Sequence, residues 1–504
     1  MMLASTPPVQ PSLASAALRG GVVTGAAQGL KLLISFASVV ILARLLSPED
    51  FGLLAATAPV VAFVGLLQSL GLQQAIVQRA ELHGALLDQS FWLSLLSGLL
   101  AAVVVLASAP AVAAFYGDPR MVGILRWTSL ALLFGVLGTV PSGLLARDLR
   151  FGVLAFADVA SAAIGLVVAA ALAWRGWGYW SLVAAPIATA ATVLAIMWNS
   201  ARWWPRRFKG PLDHDLIVFG ANLTGFNFVN FLSRNADNVL IGRFVGLDAL
   251  GLYDRAYKLL LFPLQNVAWP LSRVMVPILS RVQAEPGRLR AIFVRVMWLL
   301  GAMMMPGIAA VTMTAAEVVD VLFGPRWAGV APIFAWLGAA GFAQVILSNI
   351  GWVFMARGRT GLMFKLGLFG SAVTVAAFVV GLRGGAVGVA AAYAISGYLI
   401  RVPVQLAVVH RMGPVRWSDL AAILGTLGAA AVASALVVTA LRPEFASLPS
   451  IVIVTVSVAV NYAAAALALL SVPASRAALG PPLAAAIAWV GKRATQLTGL
   501  PRPR

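Results

Sequence analysis

Ile41-Leu42-Ala43-Arg44, followed by Gly52-Leu53, recurs as Leu240-Ile241-Gly242-Arg243, followed by Gly251-Leu252. The offset is 199 positions, and it sets Glu49 opposite Asp248. Each copy joins two long apolar runs. A run of about 20 apolar residues is what a helix needs to cross a bilayer. Working outward from the two copies, the chain holds fourteen such runs: 22–43, 52–77, 91–115, 122–146, 152–174, 179–199, 216–242, 253–279, 292–314, 329–355, 362–381, 386–408, 419–440 and 449–471. Six runs separate the copies, so both share one orientation. The expected fold is an all-α polytopic membrane protein of about 14 transmembrane helices. Two parallel six-helix lobes, related by an axis along the membrane normal, are followed by two extra helices. The eighth run is the most broken, by Pro263, Pro270 and Pro277.

Composition agrees. Of 504 residues, 61% are hydrophobic and 11% charged, against roughly 45–50% and roughly 25% in soluble domains. No soluble fold hides so much apolar surface, which excludes a soluble enzyme, a disordered chain and a secreted disulfide scaffold. There is no cysteine, so thiol chemistry and thiolate metal sites are excluded. The three histidines, His83, His214 and His410, lie in short polar segments, which argues against a metal site or acid–base pair at depth.

The net charge of +19 is dispersed among apolar runs, a pattern of membrane topology and not of nucleic-acid binding. One alternating set of inter-run segments holds 20 Lys and Arg; the other holds 8 when Arg255, at the very start of the eighth run, is counted with Arg44, Arg120, Arg175, Arg243, Arg326, Arg383 and Arg442. The richer set is expected to face the cytoplasm, with both termini inside. The expected divisions are a cytoplasmic tail 1–21 without signal-peptide character, an N-lobe 22–200, a cytoplasmic linker 201–215, a C-lobe 216–410, the two extra helices within 411–472, and a basic tail 473–504. The linker's Trp203 and Trp204 with four basic neighbours read as an interfacial anchor. In the tail, Leu483–Gln496 reads either as a helix on anionic lipid or as disorder.

Polar residues inside the runs are the functional candidates. At about 100° per residue, Thr24, Gln28, Lys31, Ser35 and Ser38 share one arc of the first run. Asn227, Asn230, Arg234, Asp237 and Asn238 share one arc of the seventh. The 199-residue offset lays one stripe on the other, pairing Gln28 with Asn227, Lys31 with Asn230, Ser35 with Arg234 and Ser38 with Asp237. Both stripes are expected to face a shared central cavity. The eighth run adds Arg255, Lys258, Asn266 and Arg273. Lys31, Arg234, Lys258 and Arg273 then make the cavity basic, against one deep acid, Asp237. Lys258 and Arg273 read equally as snorkelling charges, and the alternative for Arg234 with Asp237 is a local ion pair. Arg295, Lys365 and Arg401 are expected to snorkel to the cytoplasmic side. Asp158 is isolated, and its expected role is a helix–helix hydrogen bond. A basic cavity between parallel lobes suits alternating-access transport of an anionic substrate, such as a phosphate-bearing lipid.

Leu42-Ala43-Arg44-Leu45-Leu46-Ser47-Pro48-Glu49-Asp50-Phe51-Gly52-Leu53 resembles the signature of the polysaccharide-transporter family, the Wzx-type oligosaccharide flippases. Ala236 to Arg243, followed by Leu250-Gly251-Leu252-Tyr253-Asp254-Arg255-Ala256-Tyr257, is similar to the same family's seventh-to-eighth helix junction. The wider superfamily, which includes lipid II flippases and multidrug extruders, shares the fourteen-helix plan. The resemblance implies an inner-membrane flippase for an undecaprenyl-diphosphate-linked oligosaccharide in exopolysaccharide or lipopolysaccharide biosynthesis. It implies no catalysis and no cofactor, with coupling to protons or sodium left open. Cavity cations would engage the pyrophosphate, with Gln28, Asn227, Asn230 and Asn266 beside them. Asp237, Asn238, Arg44, Arg243, Gly52 and Gly251 would serve coupling or gating at the periplasmic junctions. Membrane lipids, and possible polysaccharide polymerase machinery, are the expected partners. The alternatives are a cation-coupled multidrug antiporter of the same fold and, further off, a membrane enzyme acting on lipid-linked sugars.

Overall fold

The computed structural model describes residues 13–68, Ile76, 84–207, 235–445 and 447–480. The described residues are almost wholly helical. Ten stretches are long and apolar enough to cross a membrane, and an eleventh is bent by 43° between Leu247–Ala268 and Pro270–Arg281. The bend falls where a π-helical turn, Leu264–Ala268, meets Pro270. Such turns and prolines are the usual causes of a sharp kink.

Two compact units divide the chain at Gly251 and Leu252. The first holds α1 (Leu13–Leu45), α2 (Pro48–Gln68), α3 (Gly84–Tyr116), α4 (Arg120–Leu137), α5 (Thr139–Arg147), α6 (Phe151–Trp174), α7 (Tyr179–Ala201) and α8 (Ala236–Phe244). It also holds the first turn of α9 (Leu247–Pro263). The helix ends repeat in the register of the sequence. The ends Leu45 and Phe244, and the starts Pro48 and Leu247, are each 199 positions apart. Arg44 and Arg243 sit in the last turns of α1 and α8, where a cation meets the negative end of the helix dipole.

Both following helices start earlier than the apolar runs predict, at 48 and 247 instead of 52 and 253. Their first turns carry Glu49 and Asp50, and Asp248. A hydropathy reading skips acids, whereas a helix N-terminus favours them. Ser47 caps α2. Its hydroxyl accepts from the Asp50 N–H at 3.2 Å, while the Asp50 carboxylate accepts from the Ser47 N–H at 3.0 Å, a reciprocal capping box.

Within this unit α6 packs along α1 and α7, α3 along α4, and α4 along α7. The buried face of α6 is Ala157, Ser161, Gly165, Ala169 and Ala173, one small residue per turn. In a membrane, where apolar area gives no drive to association, small residues let helices approach and gain dispersion contacts. A Cβ on Gly165 would stand 2.3 Å from the Thr189 hydroxyl of α7.

The second unit continues α9, then α10 (Trp269–Arg281), α11 (Pro286–Met313), α12 (Ala315–Phe323), α13 (Val330–Leu347), α14 (Gly351–Ala356), α15 (Thr360–Gly381), α16 (Gly385–Ser396), a π-helical turn (Gly397–Arg401), α17 (Val402–Met412), α18 (Trp417–Phe445) and α19 (Ser450–Ser471). Thr360–Met412 is one apolar stretch of 53 residues. A straight helix of that length would run about 80 Å, far beyond a hydrocarbon core of about 30 Å. The chain instead doubles back at the 3-10 turn Leu382–Gly384 and packs α15 against α16. Gly381 and Gly388 bring the two backbones together, so the stretch makes two of the expected runs. The core centres on α11, with Phe293, Met297, Trp298, Met304 and Met305 buried. α18 and α19, the helices outside the repeat, pack on α11.

Candidate functional site

Lys31 lies eight residues inside the span Val23–Leu45, and Asp158 seven residues inside Phe151–Trp174. Each is therefore about 10–12 Å from the start of its span. Packing of α1 on α6 brings them together, and Lys31 Nζ meets Asp158 Oδ1 at 3.1 Å. Their side chains keep 40% and 42% of their surface exposed. The one-helix stripe shows no acid beside Lys31; the acid comes from a second helix. Asp158 does make a helix–helix hydrogen bond, and Lys31 is its donor. Gln28, one turn earlier on α1, is exposed.

α8 starts at Ala236, after Asn235 with φ −117° and ψ 2°; the earlier residues of the seventh run lie outside the described residues. Asp237 is buried in that first turn and accepts the Asn238 N–H at 2.9 Å. An acid there is favoured by the unpaired N–H groups of the helix start. Asn227, Asn230 and Arg234 lie outside the described residues.

In α9, Lys258 and Arg255 converge on a third acid. Asp254 is buried; its Oδ2 accepts from Lys258 Nζ at 2.9 Å and from Arg255 Nη2 at 2.7 Å. The expectation of a single deep acid is therefore corrected: Asp158 and Asp254 each neutralise cations of the proposed basic set. The cue was present in the i, i+4 spacing of Asp254 and Lys258. Asn266 turns its amide onto the Phe262 carbonyl at 2.7 Å, as a local back-bond. Arg273 is exposed.

Arg401 departs from the snorkelling expectation. Its guanidinium turns away from the Met412 end, lies 4.1 Å over the Tyr393 ring, and donates to the Tyr393 carbonyl at 2.6 Å.

At the matched junctions, Arg243 is exposed and lies over the Phe115 and Phe244 rings at 5.6 and 5.8 Å. Arg44 is likewise exposed. Arg120 joins the same end, pairing with Glu49 of α2 and, through two contacts of 3.0 and 3.1 Å from Nε, with Asp118. Its guanidinium holds the Asp118 carboxyl below the ordinary carboxylate range. Gly52 and Gly251 face each other at this junction. A cleft of about 290 Å³ between α2, α3 and α8 is lined by Ala56, Pro59, Val112, Phe115, Tyr116 and other mostly apolar residues. It contains none of the candidate cations.

The linker docks on α3. Asp88 accepts the Arg206 N–H at 2.9 Å, and the Trp92 indole donates to the Arg206 carbonyl at 2.8 Å. Trp198, Trp203 and Phe91 cluster beneath it. The proposed tail helix, Leu483–Gln496, lies outside the described residues.

Among the described residues no cluster of three or more His, Asp or Glu side chains could hold a metal ion.

Residues 41–332 match the family model described as polysaccharide biosynthesis protein. The chain is similar to the lipopolysaccharide biosynthesis protein WzxC of Escherichia coli K12, at 24% identity over 71% of this chain and 73% of that one. It is also similar to the succinoglycan biosynthesis transport protein ExoT of Rhizobium meliloti, at 31% identity over 62% of this chain and 63% of that one. In fold it resembles the lipid II flippase MurJ in an inward closed conformation, with a TM-score of 0.68 at 13% identity over 87% of this chain and 98% of that one.

Proposed function

The chain, whose helices include ten long and apolar enough to cross a membrane among the described residues, belongs to the polysaccharide biosynthesis protein family, and from that premise we propose that it flips a lipid-diphosphate-linked oligosaccharide across the inner membrane. Both termini face the cytoplasm in this reading, and transport runs by alternating access without a cofactor. The observation that carries it is the Lys31–Asp158 pair. An ammonium at membrane depth needs a counter-anion, and here that anion is a half-exposed carboxylate held by one contact. A substrate phosphate offers more oxygens than the carboxylate does, so it takes Lys31 at the moment it enters. Asp158, released, takes up a proton or a cation, and pairing with Lys31 again resets the site. In this reading Lys31 engages the pyrophosphate as expected of the cavity cations, and the coupling role expected of Asp237 falls to Asp158. The names of the relatives, which concern lipopolysaccharide and succinoglycan biosynthesis, support a lipid-linked sugar over a drug.

The test is polymer export in cells carrying Lys31→Ala, alone and with Arg234→Ala, beside an immunoblot of the membrane fraction. Lipid-linked sugar is expected to accumulate on the cytoplasmic leaflet while the protein stays in the membrane. Normal export by the double variant overturns the reading. Normal export together with lost drug tolerance would favour the antiporter.

A further inference from the structure

Arg401 sits in the second unit with its charge turned inward. Counting from Gly385, the start of α16, its Cα is 16 residues along a path of 28 that ends at Met412. Its guanidinium reaches back to the carbonyl of Tyr393, eight residues earlier. The charged head therefore lies about 15 Å from the Gly385 end and about 25 Å from the Met412 end, deep in the span.

The local backbone is built around this placement. Gly397–Arg401 is a π-helical turn, a rare feature that concentrates at functional sites. Tyr398 pins the turn to α13 by donating to the Ala339 carbonyl at 2.6 Å. A Cβ on Gly397 would stand 2.9 Å from Arg401 Nη2, so glycine leaves the space into which the fork folds.

Among the side chains at the fork, donors outnumber acceptors. Arg401 Nε is buried and has no hydrogen-bond partner. Among the described residues, Arg401 has one carbonyl and one ring as partners and no carboxylate. The Tyr393 hydroxyl accepts from Gln344 Nε2 at 2.6 Å, which leaves its own proton to give. A buried unsatisfied donor costs about 1–3 kcal/mol, more when charged, and so calls for an explanation. The flank of the turn is greasy and open: Tyr398, Leu399 and Ile400 are all exposed.

We propose that Arg401 and Tyr393 form an anion site for the phosphate of a lipid, with Gln344 orienting the phenol and the exposed flank of the π-turn receiving the chain. A tetrahedral phosphate supplies the acceptor oxygens that the fork and the phenol lack, and a planar fork binds it through two parallel bonds. The assignment rests on the reading above for its ligand class and adds a second station, in the second unit, to the Lys31 site.

The test uses the full chain purified in a neutral detergent, in a Lys31→Ala/Arg234→Ala background that removes the first station. Equilibrium binding of dodecyl phosphate is measured against inorganic phosphate and dodecyl glucoside, with the thermal unfolding of each variant. Dodecyl phosphate is expected to bind at least tenfold tighter than either comparison. Arg401→Gln should weaken it at least tenfold, and Arg401→Lys less. Gly397→Ala displaces only the flexible end of Arg401, so it should weaken binding at least threefold with unfolding unchanged. Equal binding by the Arg401→Gln and parent proteins, or by a folded Gly397→Ala protein, overturns the site. Inorganic phosphate binding as tightly as dodecyl phosphate overturns the lipid. Failed export by Lys31→Ala bears on the transport reading alone; lost binding at Arg401 bears on this site alone.

Discussion

Gly52 and Gly251, 199 positions apart, back onto each other with no room for a side chain on either. A Cβ on Gly52 would stand 1.8 Å from the Leu247 carbonyl oxygen, and one on Gly251 would stand 1.8 Å from that of Pro48. Pro48 and Leu247 are themselves matched by the offset. The contact is thus its own mirror under the repeat, as an isologous contact is under a two-fold axis. The first turn of α9 meets the first turns of α2 there at backbone distance, which only glycine permits.

Either glycine replaced by alanine should therefore cost stability. The clash is with backbone, which cannot rotate aside, so about 1–3 kcal/mol is expected. Thermal unfolding in detergent should fall for Gly52→Ala and Gly251→Ala. It should not fall for Gly65→Ala, which meets nothing within 4 Å. Unchanged unfolding of both junction variants would refute the close contact.

The pairing of Lys31 with Asp158 predicts non-additivity. Lys31→Ala and Asp158→Ala each leave one ion at membrane depth; the double variant leaves none. The double variant should be less destabilised than the sum of the singles, by about 1 kcal/mol. Strict additivity in unfolding would show that the two charges do not meet.

The Asp118–Arg120 contact predicts an acid limb. The folded carboxyl ionises below its ordinary value of 3.8. Its contribution is therefore fully present above about pH 4 and is lost as pH falls through the folded value. Asp118→Asn should lower the unfolding temperature at pH 7. The difference from the parent protein should close on acidification below pH 4, not between pH 7 and 5. A constant gap down to pH 3 would count against it.

Arg290 of α11 holds Asp419 of α18 with two parallel bonds, 2.8 Å from Nε and 2.6 Å from Nη2. Lysine cannot make that fork. Arg290→Lys should cost about 1 kcal/mol, and Arg290→Ala about 2 kcal/mol because it strips a largely covered carboxylate of its charged partner. Chemical denaturation of the purified variants measures both. Equal stability of parent and alanine variants would show that the pair contributes nothing.

Orientation can be read by single cysteines, since the chain has none. Cysteine at 207, in the exposed linker, should be shielded from a membrane-impermeant reagent in intact cells. Cysteine at 176, in the turn between α6 and α7, should react. The reverse pattern would invert the topology.

The repeat decided more than the apolar runs did. The ends of α1 and α8 and the starts of α2 and α9 keep the offset even where the apolar runs misplaced them, because a helix end is written locally by its caps, dipole partners and glycines. The membrane class and the doubling back at 382–384 were legible for the same reason: lipid admits few architectures, and hydropathy reports them. What the sequence left undetermined is which charge answers which. Periodicity ranks residues around one helix axis, whereas the partner of Lys31 comes from a helix 127 residues away. The inward turn of Arg401 depends on a π-helical turn that no period of 3.6 encodes. Both were decided by tertiary packing, because in a low-dielectric core an ion takes the nearest counter-group that packing supplies.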